Sequence, residues 1–258
     1  MRVSVLLAGS VCIIIAVWAQ LNHLDGSLLR ADPNAIPTNA ALVAYARPRG
    51  HALYDLYCAS CHGKEGGGDS GRGIPDLSDN DWLYGTGTVG DIEQIIRYGI
   101  RSYHPKTWNL AIMPAYATPK PSVAEPQIPS LSPANIRDLV EFLFLAQGRA
   151  ADGPAAARGT AIFHGVGGCY DCHSGDAKGD SAIGAPNLTD GTTLYGDGSR
   201  DALAMSIAYG RHGVCPAWVT RISATGIREL AVFVFSLAHF PLSANSAPDS
   251  RYSDQEIK

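Results

Sequence analysis

The hydropathy of the chain opens on an uncharged run. The nineteen residues from Val3 to Leu21 (VSVLLAGSVCIIIAVWAQL) carry no charge. That length suits a helix that spans a bilayer and exceeds the core of a signal peptide. Cleavage after Ala19 is the competing reading. Cys12 falls inside the run and reads as apolar filler.

Beyond the run, apolar residues recur at helical spacing in short segments. LYDLYCASCH (53–62) has this pattern, and GTAIFHGVGGCYDCH (159–173) is a looser version of it. DIEQIIRY (91–98) and DALAMSIAY (201–209) each begin on an acidic residue suited to capping and run into Gly99 or Gly210. SPANIRDLVEFLFL (132–145) opens with Ser and then Pro, and TGIRELAVFVFSL (225–237) is its counterpart. Strand-like alternation is scarce, so the predicted fold class is mainly α.

These segments form a tandem duplication. The two CxxCH motifs, at Cys58 and Cys169, are offset by 111 residues. The offset also carries GIPDL (73–77) onto GAPNL (184–188), LYG (83–85) onto LYG (194–196), and Tyr98-Gly99 onto Tyr209-Gly210. It falls to 102 where MPAY (113–116) meets CPAW (215–218), which leaves nine extra residues within 102–112. The Pro-rich run ATPKPSVAEPQIPSLSP lengthens the first copy again. The predicted division is a transmembrane anchor at 1–22, a linker at 23–46, tandem domains at 47–150 and 151–242, and a flexible tail at 243–258. The Pro and Asn of LRADPNAIPTN suggest an extended tether.

Composition changes this picture little. A net charge of −4, without a basic block, gives no electrostatic support for nucleic-acid binding. The 28 glycines and 16 prolines imply short helices and much loop.

The cysteines carry the chemistry. Cys58-Ala-Ser-Cys61-His62 and Cys169-Tyr-Asp-Cys172-His173 have the attachment pattern for covalent haem c, with two thiols forming thioethers. No second ligand pair lies beside either motif to suggest zinc. Two haem c groups are therefore expected, with His62 and His173 as proximal ligands. Thirteen residues after each histidine stand Pro75 and Pro186, whose carbonyls are placed to accept the other imidazole N–H.

For the sixth position, Met113 in its loop is the expected ligand of the first haem. At the second haem the repeat places Cys215 opposite Met113, so a thiolate ligand that lowers the potential is expected. His212, Met205 and a five-coordinate iron stay open as alternatives there. Trp82, Tyr84, Tyr195 and Arg211 stand where they could line a haem pocket, as do Arg97 and Arg101. His51, His104 and His164 read as packing or surface residues.

DWLYG, the IRYGIRS phrase with its insertion, MPAY, GAPNLTD and IAYGRHGVCPAW together resemble the diheme subunit of cbb3-type cytochrome c oxidases over about residues 47–240. In that family the last phrase ends GVMPAW, so Cys215 departs from it. The resemblance implies a helical membrane anchor, two tandem class I cytochrome c domains in the periplasm and His/Met ligation at both haems. That anchor has one or two helices in the family, and the one uncharged run here reads as a single pass through the bacterial inner membrane. Electrons would come from a cytochrome bc complex or another respiratory cytochrome and go to a haem–copper oxidase core. A stand-alone shuttle, a dehydrogenase subunit and a His/Cys-haem enzyme acting on a sulfur compound such as thiosulfate are the other readings.

Overall fold

The computed structural model describes residue 15, residues 18–117 and residues 128–240. Most of the uncharged run, most of the Pro-rich insertion and the expected tail lie outside the described residues. Among the described residues, no helix is long and apolar enough to cross a membrane.

The chain is mainly helical. Residues 18–30 are helical (α1) and a 3-10 helix covers Pro33–Thr38. The remaining helices are α2 (Ala40–Tyr57), α3 (Ala59–His62), α4 (Val89–Tyr98), α5 (Pro133–Ala146), α6 (Gly153–His164), α7 (Tyr170–His173), α8 (Arg200–Tyr209) and α9 (Ala224–His239). Among the described residues, extended pairing is confined to isolated bridges.

Hydroxyl and acidic caps set the helix starts. Thr88, Ser199 and Ser223 each accept a backbone N–H at the heads of α4, α8 and α9. Asp91 and Asp201, expected as caps, lie three and two residues past the caps, in the first turns, where the helix dipole favours their charge. Ser132 and Asn135 form a reciprocal capping box at α5, followed by Pro133.

Helix packing does not follow the two sequence repeats. α9, the last helix of the second copy, packs on α2 and α4 of the first. α5, the last helix of the first copy, packs on α6 and α8 of the second. One apolar cluster therefore gathers Tyr54, Val89 and Ile92 with Ile227, Leu230 and Phe233. The other gathers Leu139, Val140 and Phe144 with Ile162, Phe163 and Ile207. Two glycines make the close crossings. A Cβ on Gly50 would lie 2.1 Å from the Glu229 carbonyl oxygen, and one on Gly159 would lie 2.0 Å from that of Asp138.

The physical reason for the exchange is chain length. Six residues, 147–152, join α5 to α6, and so short a connection favours antiparallel neighbours. Once α5 is committed to α6, the face of α2 is left for α9.

The segment expected to be an extended tether is folded onto the first cluster instead. Leu28, Ile36 and Leu42 are buried there. Arg228 of α9 donates to the Leu28 and Ala31 carbonyls at 3.0 and 3.1 Å. Three apolar side chains spaced through 23–46 outweigh its Pro and Asn.

Candidate functional site

Both CxxCH motifs sit on a single helical turn. α2 is capped by Cys58, whose carbonyl accepts the amides of Cys61 and His62, both at 3.0 Å. Cys169 accepts His173 in the same way at 2.9 Å. The chain then leaves through left-handed residues, Gly63 (φ 77°) and Ser174 (φ 63°). In each motif the histidine and both cysteines are held by one short element.

Each histidine is fixed by a proline. His62 Nδ1 lies 3.1 Å from the Pro75 carbonyl oxygen, and His173 Nδ1 lies 3.0 Å from that of Pro186. A carbonyl only accepts, so Nδ1 carries the proton and Nε2 keeps its lone pair. Burial holds both imidazoles below their ordinary value, and the proline hydrogen bonds oppose this in part. Gly68 and Gly179 close the same loops: a Cβ on either would lie 2.4 or 2.3 Å from the Ile74 or Ala185 carbonyl oxygen.

The sulfur candidates are grouped in the opposite way to the expectation. Met113 packs on the cluster that contains Cys169, Leu188 and Ile207. The next phrase of its loop is tied to the same side, with Tyr116 N donating to Ile207 O at 3.2 Å and Tyr116 Oη to Gly167 O at 2.7 Å. Cys215 faces the first motif. Burial pushes its thiol up to about 11, and Cys61 adds to the rise. Burial likewise pushes Cys58 up to about 12, with Cys215 the next cause. Trp218 N donates to Ile96 O at 3.1 Å, and the Trp218 ring meets Tyr57. The exchange of α5 and α9 carries each sulfur-bearing loop across to the other copy's motif.

The other expected residues divide. Tyr84 and Tyr195 lie in the seam between the copies, where a Cβ on Gly184 would strike the Tyr84 ring and one on Gly73 the Tyr195 ring. Arg211 lies over Tyr195 at 4.3 Å and donates to Ser206 Oγ at 3.1 Å. Trp82 packs beside the first cluster. Arg97 is committed elsewhere, donating to Glu93 at 2.5 Å. Met205 is 53% exposed on α8, which removes it as a ligand in this arrangement. His212 is exposed, and His164 is exposed against Phe163. His51 stacks on Phe233, and His104 lies against Tyr98.

Arg101 was expected as a residue lining a haem pocket, and its role between the two loops was not foreseen. Its guanidinium donates to Tyr84 Oη (2.8 Å), Ala111 O (3.1 Å) and Gly213 O (2.6 Å). No local pattern announces a residue whose acceptors come from both repeats.

The donor chemistry fits covalent haem c. The motif thiols Cys58, Cys61, Cys169 and Cys172 are unpaired and stand beside imidazoles of fixed tautomer, with a sulfur side chain near each motif. That sulfur is Cys215 at the first motif and Met113 at the second. A porphyrin attached at either motif would bind these groups through its iron.

Comparison with known proteins agrees. The sequence model of the cytochrome c family matches residues 48–144. The chain is 38% identical over 232 residues to the Cbb3-type cytochrome c oxidase subunit CcoP of Rhodobacter capsulatus, covering 86% of this chain and 73% of that one. It is 38% identical over 203 residues to the FixP subunit of Azorhizobium caulinodans, covering 78% and 63%. It is 37% identical over 224 residues to FixP of a Bradyrhizobium species, covering 85% and 72%.

Proposed function

This chain belongs to the family of CcoP and FixP subunits of cbb3-type cytochrome c oxidases, and we propose that it is a diheme, membrane-anchored electron carrier serving a haem–copper core. The observation that carries the reading is the pair of matched sites, each with two free thiols, a proline-held imidazole and a sulfur donor. The haem supplies reversible one-electron chemistry, and the chain supplies attachment, ligands and a fixed separation between the two centres.

Each centre is built from both sequence copies. Cys58, Cys61 and His62 are completed by Cys215 of the second copy. Cys169, Cys172 and His173 are completed by Met113 of the first. A thioether raises the potential of its centre, while a thiolate stabilises the ferric state and lowers it. The low-potential centre is therefore that of the first motif. Arg211 pairs with no carboxylate among the described residues, which leaves its charge for a propionate. Residues 3–21 anchor the chain in the bacterial inner membrane, with both centres on the periplasmic side, where haem c is attached.

Purification from native membranes tests the reading. Two haem c per chain are expected, together with co-purification of a haem–copper oxidase whose oxygen consumption drains electrons from this chain. One haem per chain, or a chain free of any oxidase in mild detergent, would overturn it.

A further inference from the structure

We infer that Arg101 is a positioning residue that couples the two sulfur-bearing loops, so that the sixth ligands of both centres depend on one guanidinium. The inference rests on Met113 and Cys215 being those ligands.

The geometry is specific. Ala111 stands two residues before Met113, and Gly213 stands two residues before Cys215. Arg101 donates to both carbonyls, through Nη1 at 3.1 Å and Nε at 2.6 Å. The same Nη1 donates to the Tyr84 hydroxyl at 2.8 Å, and Tyr84 in turn packs on Gly184 of the second copy. One planar cation thus spans two loops that come together only because α5 and α9 are exchanged. A guanidinium suits this role because its donors are fixed in one fork.

The backbone pins the cation in place. Arg101 has φ 48°, a left-handed conformation that a non-glycine residue keeps only when its surroundings hold it there. Its amide donates to Trp108 O at 2.9 Å. Its neighbour Ile100 exchanges both backbone hydrogen bonds with Cys215. Among the described residues Arg101 pairs with no carboxylate, so its charge is not spent on an ion pair.

The duplication provides no second clamp. The position equivalent to Arg101 is His212, which is exposed. Arg211, just past the end of α8, turns back to Ser206 of that helix. The coupling is therefore a property of the first copy alone, although it acts on both centres.

The test uses the holoprotein in detergent. Imidazole is added to the ferric form, and its entry at each centre is followed by the EPR signal of that centre. Ligand replacement requires the sulfur loop to open, so its rate reports how firmly the loop is held. Arg101→Gln removes one charge-assisted hydrogen bond per loop, and entry should quicken about tenfold or more at both centres. Arg101→Lys keeps the charge without the fork, so both rates should rise while both midpoint potentials stay near wild type. Lys106→Gln removes a nearby charge that lies over the Tyr98 ring at 5.5 Å and should leave both rates unchanged.

A faster rate at one centre only, or at neither, overturns the role of Arg101. If Arg101→Gln does not fold, Arg101→Lys decides by the same criterion. Met113→Ala and Cys215→Ala are measured in parallel. Unchanged ferric spectra in those two variants would overturn the ligand reading itself and this inference with it.

Discussion

Ile100 and Cys215 face each other across the two repeats: the Ile100 amide donates to the Cys215 carbonyl at 2.9 Å, and the Cys215 amide donates back at 3.0 Å. Met113 and Arg211 make the matching exchange at 3.1 Å in both directions. These reciprocal pairs place each sulfur loop on the other copy's side, which can be tested one centre at a time. With Cys169→Ala and Cys172→Ala, only the first attachment motif remains. In that background Cys215→Met should change the haem spectrum and raise the midpoint by a few tenths of a volt, within the roughly 0.8 V that axial ligands span. With Cys58→Ala and Cys61→Ala instead, Cys215→Met should be silent and Met113→Ala should alter the spectrum. The opposite pattern would mean that each copy keeps its own sulfur.

The two glycine crossings should respond alike. Gly50→Ala places a methyl 2.1 Å from the Glu229 carbonyl oxygen, and Gly159→Ala places one 2.0 Å from that of Asp138. In each case the obstruction is backbone, so the helices must separate. Denaturant melting should show a loss of about 1–3 kcal/mol for each substitution.

A buried charge cluster ties α4 to α9. Arg228 donates to Glu93, which also accepts from Arg97, and the side chains of Arg228 and Glu93 are less than a tenth exposed. Arg228→Leu leaves Glu93 with only Arg97 and frees the carbonyls of Leu28 and Ala31. Removing one partner of a buried pair costs about 3–5 kcal/mol, and thermal melting should read a loss of that size. Surface substitutions such as Lys178→Gln should do little by comparison.

Acid should loosen the contacts of α5. A hydrogen bond from Arg158 holds Asp138 below its ordinary value, and one from Arg200 does the same for Glu141. Groups with depressed folded values stabilise fully above their unfolded values, near pH 4, and that contribution is lost as pH falls through the folded ones. The melting temperature should therefore drop as the solution is acidified below about pH 4. Asp138→Asn with Glu141→Gln should flatten that dependence. The Arg partners are half exposed or more, so the effect should be small and should shrink in salt.

Much of this was legible in the sequence. The CxxCH motifs, the proline thirteen residues after each histidine, and the helices of both copies are local patterns, and local patterns survive folding. The pairing of copies was not legible from similarity. Duplicated halves present nearly equivalent faces, so α5 fits α2 or α6 by the same chemistry. The one available signal was the length of the 147–152 connection, which favours α6. The segment at 23–46 misled because its Pro and Asn stand together as a turn signal, while the apolar anchors that decide its place are spread along it. Arg97 was misjudged although Glu93 stands four residues before it, at the spacing of a helical ion pair.

The exchange of end helices also bears on how the protein is made. A chain grows from its N-terminus, so Cys58 and Cys61 emerge early, while α9 and Cys215 come last. The first attachment motif therefore waits, open and incompletely covered, until nearly the whole polypeptide has been delivered. The second motif can meet its helix and its methionine sooner, because both precede it. A stop codon between the copies would not leave one working half: it would orphan the earlier centre and remove the later one.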